Sequence, residues 1–429
     1  MNPTHLENPA APVWAREDAF PEAPAGYGWV DAKGGLHPCE SPEALATAVR
    51  DDRDGSVALV WATGHPRMLL PGELGGMGEA LQTARARWTT EDLEEARHRL
   101  RWFGAALAAF SLWAFLHGFF EAGAYAVKSG MAASIGVRFG SGLRAMFGST
   151  QTGLALLMFV IFAFIPWWQA RKRRAELGHW SDGGYSDTAP TIRFETWLER
   201  QRAPFTQILL GLVALVALAQ ISSGVRSSGW GSLFAIFGSW DGISAAGLMK
   251  DRYISGEWWR LLTAPLLHGN LVHFLMNAAA LVYLGKRLEV FARWPHLPLV
   301  FLFAACIGGE ASVRFIAAPS VGASGGLMGW LGFLLVFETL HKNLIPRRAR
   351  RRLAAGVALT ALIGIIGYRF IDNAAHAGGL LAGMAYAAIV FPKSSSPERP
   401  GSTLTDKLAG GGALAVLAAA ALFAVSEMF

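Results

Sequence analysis

The chain has 429 residues, of which 52% are hydrophobic and only 16% charged, against about 25% charged in an ordinary soluble domain. Apolar runs of roughly 18 residues or more, the length that spans a bilayer, recur along it, which excludes a soluble globular protein. The net charge of +6 sits in short basic blocks between apolar runs, a pattern of membrane orientation and not of nucleic-acid binding. Cys39 and Cys306 form no disulfide framework and no metal-type spacing, and are expected to be small buried thiols.

Residues 1–98 are rich in Asp, Glu and Pro, hold no long apolar run and lack the opening of a signal peptide, so they are expected on the cytoplasmic side. Tyr27-Gly-Trp-Val reads as a strand, Ser41 to Arg50 as a helix and Ser56–Trp61 as a second strand, with Met68-Leu-Leu70 available to pair with it. This is a small α+β domain with about one core. The sequence does not spell out its role.

Nine candidate spans follow, at roughly 103–125, 152–170, 205–222, 268–286, 297–317, 323–341, 353–371, 373–391 and 408–428. Basic blocks at Arg171–Arg174, at Lys286-Arg287 with Arg293, and at Arg347–Arg352 each follow an even-numbered span. One membrane side collects them, and the positive-inside rule makes that side the cytoplasm and puts Phe429 outside. The 126–150 loop runs against this pattern with Lys128, Arg138 and Arg144. Between the third and fourth spans lies a long segment, about 223–267, carrying Trp230, Phe234, Phe237, Trp240, Trp258 and Trp259. Its aromatic character suits the membrane interface, either as an anchor or as a gate for substrate access.

Polar groups inside spans are costly and are functional candidates by default. Five stand out: His268, His273, Asn277, Ser324 and His376. In Val321-Gly-Ala-Ser-Gly-Gly-Leu-Met-Gly329, glycines four apart let helices approach closely, which explains Gly325 and Gly329 but leaves the serine optional. The same stretch fits G-x-S-x-G, yet the soluble-hydrolase elbow needs a preceding strand that these flanks do not supply. In Asn373-Ala-Ala-His-Ala-Gly-Gly-Leu-Leu-Ala-Gly383, His376, Gly379 and Gly383 fall within about 60° of one another on a helix. A lone intramembrane histidine is often a structural hydrogen-bonder. A glycine-lined one, with a glycine-flanked serine on a neighbouring span, also fits a general base beside a nucleophile. His273 and Asn277 are four apart and share a face, so both can donate to one point, as an oxyanion requires. His268 lies about 140° from His273 if the helix extends that far, and is assigned to structure or loop support. A metal is the competing reading of this cluster. Against it, no H-E-x-x-H is present and no carboxylate sits among them, so neither metal nor cofactor is expected.

Taken in order, these residues resemble the rhomboid intramembrane serine proteases over about 205–391. The resemblance rests on Glu257-Trp-Trp259-Arg260, on His268, His273 and Asn277, on Gly322-Ala-Ser324-Gly325, and on Ala375-His376 with Gly379 and Gly383. Tyr283-Leu-Gly285 followed by Glu289 also matches. It implies an all-α polytopic membrane protein with a six-helix core, here with two extra N-terminal spans, one extra C-terminal span and the α+β cytoplasmic domain. The corresponding segments are 1–98 for the cytoplasmic domain, 99–175 for two added helices, 176–204 for a linker, 205–391 for the catalytic core and 392–429 for a linker and last helix.

By that resemblance Ser324 is the nucleophile and His376 the general base, while His273 and Asn277 form the oxyanion hole with the backbone N–H of Ser324. Gly322, Gly325, Trp259, Arg260, His268, Glu289, Gly379 and Gly383 are motif or structural positions. The implied activity is hydrolysis of transmembrane-protein substrates near the outer ends of their helices, in a multi-pass plasma or inner-membrane protein whose site opens outward. Such substrates must unwind locally, because a helix hides its carbonyls in hydrogen bonds. The connection near Tyr368–Asn373, which caps the site in the family, is very short here. The alternative is a catalytically idle rhomboid-like protein that binds transmembrane clients. A proton-path channel through the histidines has no use for the glycine-flanked serine. The front domain suits a cytoplasmic partner or a regulatory role.

Overall fold

The structure is a computed structural model that describes residues 11–53, 55–130, 132–177, 182–228 and 240–429. The chain divides into two compact units, one of Met1–Arg16, Phe194–Ala358 and Asp372–Phe429, the other of Glu17–Arg193 and Leu359–Ile371.

In the second unit, β1 (Tyr27–Asp31), β2 (Leu36–Cys39) and β3 (Val57–Trp61) form an antiparallel sheet in the order β2-β1-β3. The β2 strand was not anticipated, since Pro38 interrupts Leu36-His-Pro-Cys39; it is tolerated because β2 is an edge strand, where a missing N–H costs no ladder bond. Leu69 pairs with Val60 beside β3, as the sequence suggested for that stretch. The helix Pro42–Asp51 starts where the Ser41 hydroxyl accepts the Ala44 N–H, at 3.2 Å, and lays Leu45 and Val49 against Val60, Met77, Ala80 and Leu81.

Ala80 and Leu81 already belong to the next element, one unbroken helix from Gly78 to Lys128. No proline interrupts those 51 residues, and the Ala-, Glu- and Arg-rich first half favours helix as strongly as the apolar second half. The sheet domain and the first apolar segment therefore share a single rigid element.

The first unit holds most of the apolar helices. Among the described residues, six helices of the chain are long and apolar enough to cross a membrane, and a seventh if a bent pair counts as one span. The protein is an integral multi-pass membrane protein. The bent pair is Arg260–Leu266 with Leu271–Ala292, turned by 93° at a short break, so the span expected at 268–286 begins within an irregular link. Two other expected spans look different in detail. Ser324–Leu340 is a shorter apolar helix, and Arg347–Ile366 takes the arginine block into its own first turns.

Several polar groups buried in this unit are paired. Arg287 and Glu338 form a two-pronged ion pair, one contact being 2.9 Å from Nη2 to Oε2. The Glu289 carboxylate accepts the Thr206 N–H and hydroxyl, both at 2.8 Å, and the Phe205 N–H at 3.2 Å, capping the helix Pro204–Ser228. Trp14 donates its indole N–H to the Leu344 carbonyl at 2.8 Å and meets Phe194 edge-on.

The tightest packing joins Ser324–Leu340 to Asn373–Val390. A Cβ placed on Gly383 would lie 1.8 Å from the Gly329 carbonyl oxygen, and one on Gly379 would lie 2.1 Å from that of Gly325. Only hydrogen fits at either position. Gly383→Ala is therefore expected to destabilise the folded protein by roughly 1–3 kcal/mol. Gly412→Ala, at a helix position with open space around it, is expected to melt with the wild type. Thermal unfolding of the two purified variants checks the pair.

Candidate active site

Ser324 opens its helix after an elbow that is pinned from both sides. Leu248 and Ser320 exchange backbone hydrogen bonds at 3.0 and 3.2 Å, and the Gly322 N–H donates to the Ala264 carbonyl at 3.0 Å. Gly322 has φ +124°, a conformation that side chains disfavour, and a Cβ there would stand 2.6 Å from His273 Cε1 and 2.8 Å from its Nε2. The absent side chain thus does two things: it permits the turn, and it lets the His273 ring lie over the backbone just before the serine. Ser324 itself is half-buried.

His376 lies in the first turn of Asn373–Val390, whose Asp372 cap accepts the Ala375 N–H at 2.9 Å. The glycine seam sets this turn beside the Ser324 turn. Gly379 rests on the Gly325 carbonyl, and the Ala375 carbonyl oxygen lies 3.8 Å from the Cβ position of Gly325. Ser324 and His376 are consequently brought to the same end of two touching helices, each half-buried.

His273 and Asn277 sit one turn apart on Leu271–Ala292, a helix capped by the Asn270 side chain, which accepts the His273 N–H at 2.8 Å. Both face Gly322. Its Cβ position is 3.5 Å from Asn277 Nδ2, and that amide nitrogen is buried with no hydrogen-bond partner. An unmated donor at that depth is costly, of order 1–3 kcal/mol. It points at the same backbone as the His273 ring.

His268 lies in the link before this helix and is fully buried, its ring edge-on to His273 at 5.2 Å and to Phe274 at 5.3 Å. It therefore does not join the face shared by His273 and Asn277, but it walls the His273 ring from behind. Arg260, 1% exposed, donates to the Ser244 and Gly247 carbonyls at 3.1 and 2.7 Å and to Glu257 at 2.6 Å, and it stacks over Trp259. Trp259 in turn meets Phe423 edge-on. These two residues fold the loop and do not reach Ser324. Trp230, Phe234 and Phe237 of the aromatic segment lie outside the described residues. Glu289 stands far along the His273 helix, as a cap for another helix.

The sequence reading missed Gln220. Its side chain accepts the His268 N–H at 2.9 Å and donates to the His268 carbonyl at 3.0 Å, holding the break in the bent span. A glutamine deep in the apolar run 205–222, thirteen residues after Gln207 near its start, was its only signal. Asp372 was missed as well, although an Asp before an apolar periodic run is a helix-start mark. Among the described residues no three His, Cys, Asp or Glu side chains gather as a metal-binding group.

With this geometry in view, residues 255–393 match the Rhomboid domain family. The segment is a rhomboid domain. The chain is 36% identical over 147 residues to Rhomboid protease GluP of Bacillus subtilis (strain 168), covering 33% of this chain and 28% of that protein. It is 33% identical over 145 residues to RHOMBOID-like protein 6, mitochondrial, of Arabidopsis thaliana, covering 33% of this chain and 46% of that protein. RHOMBOID-like protein 9, chloroplastic, of the same plant is 26% identical over 233 residues, covering 49% of this chain and 51% of that protein. The chain thus spans between about a quarter and a half of the length of these curated relatives. The rhomboid family includes intramembrane serine proteases, and the matched segment 255–393 contains all four candidate site residues.

Replacing Gln220 by leucine leaves the His268 N–H and carbonyl without partners, at a cost of roughly 1–3 kcal/mol for each. Gln220→Leu is expected to unfold at a clearly lower temperature than the wild type in the same detergent. An unchanged melting curve would show that the two bonds carry no stability.

Proposed function

We propose that this chain is an intramembrane serine endopeptidase that hydrolyses peptide bonds in or near transmembrane helices of membrane-protein substrates. The observation that carries the reading is the convergence at Gly322. There, the His273 ring and the unpartnered Asn277 amide face the backbone that presents Ser324, while the glycine seam sets His376 beside it. A packing site for helices needs the glycines but has no use for a buried, unmated amide.

In this proposal Ser324 Oγ attacks the substrate carbonyl carbon as His376 takes the hydroxyl proton. The tetrahedral oxyanion forms between the Ser324 N–H, Asn277 Nδ2 and the His273 ring, which stabilise charge that the ground-state carbonyl lacks. His376 gives its proton to the amine as the C–N bond breaks; a water that loses a proton to His376 then attacks the acyl carbon, and Ser324 Oγ leaves and takes that proton back. No metal or cofactor takes part. The positive-inside pattern supports placing the site at the outer side, with residues 1–98 in the cytoplasm. Substrate helices that unwind readily expose their carbonyls and suit such a site. We assign a regulatory role to the front domain, supported by the continuity of its core with the helix Gly78–Lys128.

A fluorophosphonate probe is expected to label the purified wild type and to fail on folded Ser324→Ala and His376→Ala. Asn277→Ala should lower turnover of a transmembrane test substrate by roughly 10²–10³. Folded wild-type protein that neither takes the label nor cuts such substrates would sink the reading and favour a client-binding rhomboid-like protein.

A further inference from the structure

The two turns that carry Ser324 and His376 are joined by the glycine seam and also by one carboxylate. Asp372 lies four residues before His376. One of its oxygens, Oδ1, accepts the Ala375 N–H at 2.9 Å, and its backbone carbonyl accepts the His376 N–H at 3.0 Å. The other, Oδ2, accepts the Ser320 hydroxyl at 2.6 Å and the hydroxyl of the fully buried Ser312. Ser320 lies four residues before Ser324, on the elbow. Ser312, on the helix His296–Phe315, also receives the Lys250 ammonium. Lys250 stands two residues after Leu248, whose backbone pairs with Ser320. The bonds close a circuit through four pieces of chain: the loop at 248–250, Ser312 on the helix His296–Phe315, the elbow at 320–324 and the helix start at 372–376.

We propose that Asp372 is a positioning residue for the Ser324–His376 pair, fixing the nucleophile's elbow with one oxygen and the base's helix turn with the other. The inference rests on the protease reading and deepens it. Asp372 is not a third member of a triad: its carboxylate bonds go to Ala375, Ser312 and Ser320, and none goes to the His376 ring. It acts on the ring through the backbone of its turn. A plain helix cap needs only Oδ1. The Oδ2 bond to Ser320 reaches across to a different segment and so ties the elbow to the turn that carries His376. The seam alone fixes the helix axes, but Ser324 stands at the end of its helix, where the preceding elbow decides how its side chain is presented.

The test separates the number of working sites from the rate at each site. Wild type, Asp372→Ala, Asp372→Asn, Ser320→Ala and the Asp372→Ala/Ser320→Ala double variant are titrated with fluorophosphonate. Cleavage of a transmembrane test substrate is then measured per titrated site. Asp372→Ala is expected to lose roughly ten- to a hundredfold in kcat with KM unchanged, the scale of a small misplacement of reacting groups. Ser320→Ala is expected to lose about tenfold, one hydrogen bond's worth. The double variant should fall no lower than Asp372→Ala, because both changes break one link. Asp372→Asn, whose amide oxygen still caps Ala375 while its NH2, in the place of Oδ2, can donate to the Ser320 hydroxyl oxygen, should recover most of the rate, and with Ser320→Ala it decides the matter if Asp372→Ala does not fold. Full kcat per titrated site in Asp372→Ala, with only a lower melting temperature, would reduce the residue to a helix cap and overturn the proposal. Additive losses in the double variant would overturn it too. A wild type that is inert in both assays brings down the protease reading and this inference together, whereas an active wild type with an unaffected Asp372→Ala brings down this inference alone.

Discussion

Between the helices of Ser324 and His376 there is almost nothing but backbone. The carbonyl oxygens of Gly325 and Gly329 occupy the places where side chains on Gly379 and Gly383 would begin, and Gly332 meets the Leu380 carbonyl in the same way. Helices in a bilayer gain no hydrophobic advantage from touching, since lipid tails are as apolar as leucine; close backbone approach is what makes the contact favourable. The approach also fixes register. Glycines four apart on both helices mesh at successive turns, so a slide of one residue would drive a side chain into a carbonyl. The relative height of Ser324 and His376 follows from that mesh before any polar bond between their turns is considered.

Around this seam, several polar residues inside the bundle are held by partners that satisfy them. Glu338 has Arg287, Glu289 has the exposed N–H groups at the start of a helix, and Gln220 has both backbone groups of His268. Breaking one member of such a pair strands the other in a low-dielectric surrounding, which costs more than the pair contributes. The 93° bend before Leu271 depends on this economy. A break in a span frees backbone groups that lipid cannot satisfy, and the Gln220 amide supplies one acceptor and one donor for them.

Residues with unusual chemistry for a membrane span were legible in the sequence, because the cost of burying them narrows the reasons for their presence. Ser324, His376, His273 and Asn277 announced themselves by polarity, spacing and flanking glycine. Where the four stand relative to one another was not legible from spacing alone, since the seam and the elbow bring together segments 45 residues or more apart. Gln220 and Asp372 escaped notice for a related reason. A glutamine or an aspartate next to an apolar run has several ordinary explanations, and only the partner across the fold, His268 in one case and Ser320 in the other, selects among them. The sheet showed the opposite weakness. Local pattern found β1 and β3, but β2 carries a proline that is acceptable only because no further strand lies beyond it. The join between the front domain and the first apolar helix was likewise hidden, since a change in composition at 98–103 looks like a boundary although helix propensity runs straight through it.

Asn277 Nδ2 and both ring nitrogens of His268 are buried with no hydrogen-bond partner among the described residues, and of these the amide faces the Gly322 backbone. A donor kept buried without a partner raises the free energy of the resting protein. The cost is recovered only by a state that brings an acceptor to it. A neutral carbonyl recovers part of that cost and an oxyanion more, since hydrogen bonds to charged groups are the stronger ones. Under the proposed function the same atoms therefore favour the tetrahedral state over the bound substrate, and that difference, not tight binding, is what would lower the barrier. The Gly322 turn makes the difference available at one place. By having no side chain it leaves the His273 ring and the Asn277 amide pointing at the backbone one residue away from the proposed nucleophile's own N–H. A packed methyl group there would move the ring aside and separate the donors from the serine they are proposed to serve.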